Sequence, residues 1–370
     1  MREACSFPRD RSRITALAAE ARDLDSLFHL SEEHGVIAHM AAALGDGSGH
    51  SLSPNFLEML RARHRLQLLF TLAMTAELFR ILEMLREANI ETVVVKGPVL
   101  SLRAYGDVGA RRYVDLDMIV RHADIGRAAE ILIAAGYQSK VPMEAIRAER
   151  IPGEYLFRRP GTQVIFELHT ERTFRYFPRS LPVEDYFARK TSLLLDGQPV
   201  PALSAEDEFV LICIHGAKHF WERLMWVSDV GALVHHRRNL DWQLVRTAAQ
   251  DVGASRMVRV ALVLAERVLR ATVPEAMRQQ VSLDSACVGL ARRIESWLPF
   301  SGFAAPAFGA RALFRFQMRG GLLAGASYLT RLSVSTTEED WADSGGPASR
   351  AGEILRRPFR LVRKYRRNAD

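Results

Sequence analysis

Two aspartates lie two positions apart in the segment RRYVDLDMIV, residues 111–120. The surrounding apolar residues favour a β-strand, in which residues i and i+2 point to the same face. Asp115 and Asp117 would then share a face with Cα atoms roughly 6–7 Å apart. Carboxylates this close repel each other unless water or a cation lies between them. The pair is therefore either a solvated strand face or part of a cation site.

Two further segments favour the cation site. TQVIFELHTE alternates apolar and polar residues, so that Glu167 and His169 share one face of a strand. VVVKGP is a short apolar run that closes at Lys96 and Gly97, as a buried strand ending in a turn would. Three converging carboxylates suit Mg²⁺ or Mn²⁺, which clamp phosphates and stabilise in-line displacement at phosphorus. A glycine turn lets the backbone approach a phosphate closely.

The elements that must position these residues follow a simple order. Strand, helix, strand, helix and strand succeed one another between about residues 91 and 172, and helical periodicity dominates on both sides. This order predicts an α+β protein with a small mixed sheet and flanking helices. The predicted regions are an N-terminal helical region (1–88), an α/β core (89–203), a helical domain (204–300), and a Gly/Ala-rich segment with a basic tail (301–370).

The joint pattern KG…YGD…R…DLDMIV…AGY…FELH resembles the nucleotidyltransferase superfamily of the DNA polymerase β type. Within it, the chain looks most like a bacterial branch described as uncharacterised nucleotidyltransferases. The segment HGAKHFWERLMWVSDV, residues 215–230, also resembles that branch. The resemblance covers roughly residues 70–300, and it implies a nucleotidyltransferase sheet between N-terminal and C-terminal helical regions.

The resemblance also implies roles for individual residues. Asp115 and Asp117 match the paired metal-binding aspartates. Glu167 matches the third carboxylate, the usual candidate for binding metal and activating the acceptor hydroxyl. Gly97 matches the glycine of the phosphate-cradling turn. The superfamily usually has Gly-Ser at that turn, whereas this chain has Lys96-Gly97, so triphosphate binding here is expected to depend on Lys96.

Four other residues are candidates for the site or its surroundings. Arg111 could contact a phosphate or pair with a nearby acid. Lys218 would neutralise triphosphate charge from a helical lid, although the same helix could equally be a buried one that uses its tryptophans as core. His169 faces the same way as Glu167, but a lone histidine is usually structural. Asp229 could orient Lys218 or a histidine.

The expected function is metal-dependent nucleotidyl transfer, in which an acceptor hydroxyl attacks the α-phosphorus of an NTP. The expected cofactor is Mg²⁺ or Mn²⁺. The sequence leaves the acceptor open among sugar, antibiotic, peptide, protein and RNA. The alternative is a catalytically degenerate protein that keeps the fold as a binding or scaffold module, which the Lys96-Gly97 departure favours and the intact set of acids disfavours.

Composition fits a soluble globular protein, with 48% hydrophobic and 25% charged residues. The three cysteines show no metal spacing, and no signal peptide or membrane span is evident, so we expect a cytoplasmic location. Of the net charge of +7, the tail 351–370 contributes +5 from seven basic and two acidic residues. That tail could contact anionic membrane or nucleic acid weakly, or simply be solvated. The oligomeric state is not indicated.

Overall fold

A seven-stranded mixed sheet forms the middle of the chain. The computed structural model describes residues 1–45, 51–147, 153–171, 183–237, 239–299 and 308–334. The strands are β1 (Val93–Val95), β2 (Asp115–Ile119), β3 (Gln138–Ser139), β4 (Glu154–Arg158), β5 (Ile165–His169), β6 (Thr191–Leu195) and β7 (Gln198–Ala202). The α+β class expected from the order of elements is confirmed.

The sheet has the order β3-β4-β5-β2-β1-β7-β6. β2 is parallel to β5 and antiparallel to β1, so the three strands expected from the sequence form its centre. The other four strands extend both edges and were not expected. The Asp196-Gly197 pair between β6 and β7 is a sequence pattern typical of a tight hairpin turn. Both residues have the positive φ (50° and 75°) that such a turn requires.

Helices precede, cover and follow the sheet. Before it come α1 (Arg11–Glu20), α2 (Leu24–Glu33), α3 (Ile37–Gly45) and α4 (Pro54–Glu87). Between its strands lie α5 (Gly97–Tyr105), α6 (Ile125–Ala134), α7 (Met143–Arg147) and α8 (Glu184–Arg189). After it come α9 (Ala205–Lys218), α10 (Leu224–His236), α11 (Trp242–Asp251), α12 (Ser255–Leu269), α13 (Glu275–Ser282), α14 (Ala286–Trp297), α15 (Phe308–Gln317) and α16 (Leu322–Val334).

Local signals place several helix ends as expected. Ser204 caps α9, because its hydroxyl accepts a hydrogen bond from the Asp207 amide at 3.1 Å. α5 stops at Gly106, which has the left-handed conformation (φ 74°) that glycine adopts without strain. α6 starts after Asp124, although that side chain makes no capping hydrogen bond. The start of α5 is fixed by the Lys96-Gly97 turn, which therefore links a helix terminus to the end of β1.

Two apolar cores meet along α4. The first half of this helix contributes Phe56 and Leu60 to a core that also contains residues of α3, α9, α10, α12 and α14. The second half contributes Met74, Leu78 and Ile81 to a core beneath the sheet, together with residues of β2, β5 and α6. The N-terminal helices thus pack into the same core as the C-terminal helices. The four-region division of the chain stays a prediction.

Two expected segments fall outside the described residues. These are the loop STTEEDWADSGGPAS (335–349) and the basic tail (351–370). The described part of the Gly/Ala-rich segment contains α15 and α16. Among the described helices, none combines the length and apolarity needed to cross a bilayer.

Candidate functional site

The central strands bring the three predicted carboxylates to one face of the sheet. β2 and β5 run parallel, with Asp117 directly opposite Glu167. Asp115 precedes Asp117 by two residues on β2 and follows the same alternation. Leu116 and Met118 lie on the other face, in the core against α4 and α6. Alternation in the sequence therefore predicted the shared face, and the parallel register brings Glu167 to the same level as Asp117.

Asp117 is the centre of this cluster, with 1% of its surface exposed. Its Oδ1 accepts a hydrogen bond from Lys96 Nζ at 2.8 Å and lies 3.0 Å from His169 Nε2. Its Oδ2 is buried and has no hydrogen-bond partner among the described residues. Burial raises the pKa of Asp117, but the charge of Lys96 and the hydrogen bond from His169 outweigh burial and lower it. Asp117 is thus ionised, with one oxygen held by the protein and the other available to a ligand.

His169 joins the two facing carboxylates. Its Nε2 is 3.5 Å from Glu167 Oε2 as well as 3.0 Å from Asp117 Oδ1. Burial lowers the pKa of His169, but the hydrogen bonds with Asp117 and Glu167 raise it to about 9. The sequence had left His169 with a structural role, because only the strand pairing reveals that Asp117 lies within reach of its ring.

Asp115 lies at the beginning of β2 and is half-buried. Burial raises its pKa, the charge of Asp117 raises it further, and Lys96 acts in the opposite direction, which leaves a value of about 6. The negative charge of Asp115 is therefore disfavoured by burial and by the neighbouring carboxylates of Asp117 and Glu167. A bound cation would favour the ionised form.

The donor atoms of this cluster suit a divalent cation. Asp117, Glu167 and His169 offer ligand atoms that all lie within 4.8 Å of one another. Carboxylate oxygens are the ligands that Mg²⁺ and Mn²⁺ prefer, and the buried Oδ2 of Asp117 is an oxygen for which the described residues supply no donor. The residues present therefore fit the Mg²⁺ or Mn²⁺ ion that the sequence analysis predicts, and His169 lies beside the expected carboxylates.

The turn beside the cluster has an unusual backbone. Lys96 has φ 55° and ψ −139°, and Gly97 has φ 45°. Such angles are accessible to glycine but strained for lysine, and a residue held there costs on the order of 1–3 kcal/mol. A Cβ atom added at Gly97 would lie 3.8 Å from the Asp115 carbonyl oxygen, an ordinary contact. The backbone conformation, and not lack of space, is what requires glycine at position 97.

Lys96 brings a permanent positive charge into the cluster. The residue is 8% exposed and its ammonium lies 2.8 Å from Asp117 Oδ1. Burial lowers the pKa of Lys96, but the charges of Asp117, Asp115 and Glu167 raise it above its ordinary value. The three carboxylates are therefore partly neutralised by the protein itself.

Arg111 is buried and pairs with an acid. Its Nε donates to Asp229 Oδ2 at 2.8 Å, and Tyr105 donates to the other carboxylate oxygen of Asp229 at 2.9 Å. Each oxygen of Asp229 thus accepts a hydrogen bond from a residue that precedes β2. The predicted partners of Asp229 were Lys218 or a histidine, whereas its partners in the structure are Arg111 and Tyr105. Of the two alternatives predicted for Arg111, the structure shows the pair with a nearby acid. A contact from Arg111 to phosphate stays a prediction.

The end of α9 is a packed corner. Trp221 is completely buried, and its ring lies so close to Gly216 that an added Cβ would be 2.5 Å away. The Trp221 amide donates to the Gly216 carbonyl at 2.8 Å, and Phe220 and Trp221 both have positive φ (58° and 54°). The ring of Trp221 therefore leaves no room for any side chain at position 216, which explains the glycine there. The core interpretation of this segment is confirmed.

Two histidines of α9 pack on Trp226 in the same corner. The rings of His215 and His219 are 4.7 Å apart, and each lies within 5.4 Å of the Trp226 ring. Burial lowers the pKa of His219 to about 3, helped by the charges of Lys218 and Lys96. Lys218 is half-buried in the last turn of α9. Its predicted contact with triphosphate stays a prediction.

Comparison with known proteins gives one matching family and several distantly similar solved structures. The family described as "uncharacterised nucleotidyltransferase" matches residues 20–270. The solution structure of the antibiotic-resistance factor ANT(2'')-Ia is 14% identical and covers 60% of this chain and 98% of its own, with a TM-score of 0.28. The crystal structure of an antigenic nucleotidyltransferase-like protein from Paracoccidioides brasiliensis is 16% identical and covers 58% of this chain and 96% of its own, with a TM-score of 0.30.

A search among curated proteins finds no match. The two structural likenesses are too low to support an argument about the site. The family match stands on its own, because it spans most of the chain and includes α4, the central strands and the α9–α10 corner. The chain belongs to the family of uncharacterised nucleotidyltransferases.

Proposed function

We propose that this protein transfers a nucleoside monophosphate from an NTP to a hydroxyl acceptor, with a divalent cation as cofactor. The observation that carries the proposal is the pairing of Asp117 with Glu167 across two parallel strands, with one buried oxygen of Asp117 unpartnered. A structural carboxylate in the interior would normally have both oxygens satisfied.

Each residue of the cluster has a definite task in this reaction. Asp115, Asp117 and Glu167 would hold Mg²⁺ or Mn²⁺, which would supply charge neutralisation for the triphosphate and the leaving pyrophosphate, and His169 positions the Asp117 and Glu167 carboxylates. Lys96 holds Asp117 in place through the 2.8 Å ion pair and offsets negative charge where the triphosphate must approach. Gly97 allows the backbone of the turn to come close to phosphate oxygens.

Glu167 is the group assigned to the acceptor. It is only half-buried, whereas Asp117 is enclosed, so Glu167 is the member of the facing pair that a substrate hydroxyl can reach. As the acceptor oxygen bonds to the α-phosphorus, the bond from that phosphorus to the β-phosphate oxygen breaks and pyrophosphate leaves. The acceptor proton passes to Glu167, whose orientation is fixed by His169.

Incubation of the protein with each α-labelled NTP, Mg²⁺ or Mn²⁺ and cell extract tests the proposal. The expected result is label on an acceptor, release of pyrophosphate, and loss of both with EDTA or with Asp117→Asn. Calorimetry with and without EDTA gives a second measure, because a triphosphate beside three carboxylates is repelled without a cation. Equal NTP affinity in both conditions would refute the site assignment.

One observation favours a second candidate, a catalytically degenerate binding or scaffold protein. The ammonium of Lys96 already occupies Oδ1 of Asp117, in a turn where the superfamily usually has Gly-Ser. A degenerate protein would bind NTP and release no pyrophosphate with any extract, and Lys96→Met would not lower its turnover because there is none. Measurable pyrophosphate release that depends on Asp117 excludes this candidate.

A further inference from the structure

A cavity lies beside the segment that leads into β2. Its volume is about 400 Å³, within the range of small-molecule pockets. Its walls come from α4, from Glu32 of α2 and Ile37 of α3, from residues 112–114 before β2, and from Gln163 before β5. None of the carboxylates of the Asp117 cluster lines it, and the contribution of α4 places it on the α4 side of the sheet. We call this cavity the arginine pocket, after Arg63 and Arg112.

The arginine pocket contains more positive than negative charge. Arg63 pairs with the Glu32 carboxylate, whereas Arg112 donates only to the Glu32 backbone carbonyl, at 3.3 Å. Arg112 is half-buried and makes no ion pair with any described residue. Burial lowers the pKa of Arg112, and the nearby charges of Arg63 and Arg223 lower it further. Arg63 and Arg112 therefore share the cavity with a single carboxylate, that of Glu32, and the charge of Arg223 also acts on Arg112, which raises the electrostatic energy of the cavity.

The remaining walls are mostly apolar and partly aromatic. Ile37, Phe70 and Tyr113 line the cavity, as does Val114, which is 46% exposed. Tyr113 also lies against the strained turn, since its ring is 4.0 Å from where a Cβ of Gly97 would be. A ligand of this cavity must have an apolar body that fits these walls and an anionic group that reaches Arg112.

We propose that the arginine pocket is a binding site for a small organic anion, a molecule with an apolar body and one carboxylate or phosphate group. The site is separate from the proposed NTP site. Arg112 is its main anchor, because a guanidinium binds both anions with two parallel hydrogen bonds. The ligand relieves the repulsion among Arg63, Arg112 and Arg223.

Calorimetric titration of the full chain with phenyl phosphate and with phenylacetate tests this proposal, with benzyl alcohol as the neutral probe. Phenyl phosphate or phenylacetate should bind saturably, and the neutral alcohol should not. Arg112→Gln should weaken binding by at least about tenfold, the usual effect of losing a charged hydrogen bond. Arg61→Gln is the matched control, an exposed arginine of α4 that does not line the pocket, and it should leave the affinity unchanged.

A thermal unfolding scan separates binding from folding. Because Arg112 is half-buried without an ion pair, Arg112→Gln should unfold at the same or a higher temperature than wild type. A clear fall in that temperature would make Arg112 a structural residue and overturn the proposal. Absence of saturable binding by wild type up to about 10 mM of either anion, or equal loss with Arg61→Gln, would also overturn it. Mutually exclusive binding with ATP would place the anion in the nucleotide site and refute a separate pocket.

Discussion

Two buried ion pairs in this protein have the same length and differ in how completely the aspartate is hydrogen-bonded. Lys96–Asp117 and Arg111–Asp229 both have a nitrogen–oxygen distance of 2.8 Å. Asp229 uses both oxygens, one for Arg111 and one for Tyr105. Asp117 uses one oxygen twice and leaves the other without a partner among the described residues. The complete pair needs nothing beyond the fold to satisfy its carboxylate, whereas the incomplete pair leaves one acceptor oxygen for another group.

The surroundings of the two pairs sharpen the contrast. Asp229 ends a chain of hydrogen bonds in which Tyr105 also contacts Ser228 at 3.2 Å, and Ser228 contacts His39 at 3.2 Å. This chain ties α3, α5 and α10 together. Lys96 is instead held in a backbone conformation that disfavours any residue but glycine. Incomplete satisfaction and local strain occurring together point to a site that binds something.

The largest expected difference concerns activity. Asp117→Asn should reduce label transfer by about 10⁴-fold, equivalent to about 5.5 kcal/mol in the barrier, because the ionised oxygen that faces the ligand is lost. Asp229→Asn should retain transfer within about tenfold per folded molecule, since Asp229 only supports the fold. Pyrophosphate release, normalised to the folded fraction from circular dichroism, gives both values. Near-normal turnover of Asp117→Asn would refute the difference in role between Asp117 and Asp229.

For the free energy of unfolding, we expect the Arg111–Asp229 pair to matter more than the Lys96–Asp117 pair. Arg111→Met leaves Asp229 as an uncompensated buried charge and should lower the free energy of unfolding by about 3–5 kcal/mol. The double variant Arg111→Met/Asp229→Leu should recover most of this loss, as replacing both partners removes the charge. Urea unfolding of the two variants provides the measurement. A loss below about 1 kcal/mol for the single variant would mean that water reaches Asp229.

The hydrogen-bonded chain also predicts a pH effect. Burial, together with the charges of Arg9, Arg111 and His64, lowers the pKa of His39 to about 3. Since the unfolded value is near 6.5, the unfolded chain takes up the proton first as the pH falls. Stability is therefore complete above pH 6.5 and declines below it, with His39 accounting for about 2 kcal/mol at pH 5.

The variant His39→Gln isolates this contribution, because glutamine can keep the hydrogen bond to Ser228 and cannot be protonated. The difference between the unfolding free energies of wild type and variant should shrink by about 2 kcal/mol as the pH is lowered from 7 to 5. Other buried histidines, His215 and His219, remain in both proteins and cancel in the comparison. Parallel pH profiles would show that His39 is not enclosed as described.

The smallest effect tests the strain at the turn. Lys96→Gly and Lys96→Met remove the same charge, but only glycine relaxes the backbone at φ 55°. Lys96→Gly should therefore be the more stable of the two by about 1 kcal/mol. Both variants should lose the same NTP affinity, roughly 10- to 150-fold if Lys96 meets the triphosphate. Equal stability would mean that the turn relaxes without its lysine.

Local sequence signals predicted the parts of this molecule that depend on near neighbours. Alternation placed Asp115 and Asp117 on one face, and the Ser204 cap and Gly106 stop fixed two helix ends. The partners of charged residues were not predictable in this way. Asp229 lies 118 residues from Arg111, and His169 lies 52 residues from Asp117. Such pairs depend on strand register and helix packing, which no local pattern contains.

The long helix α4 has a mechanical consequence. It is 34 residues long, roughly 50 Å, with its only proline at the first position and no glycine. Sharp kinks need proline, glycine or a helical bulge, so this helix is stiff along its length. One end is embedded among the helices and the other under the sheet. The two cores therefore cannot swing apart as hinged bodies, and substrates must enter and leave through the movement of loops and side chains.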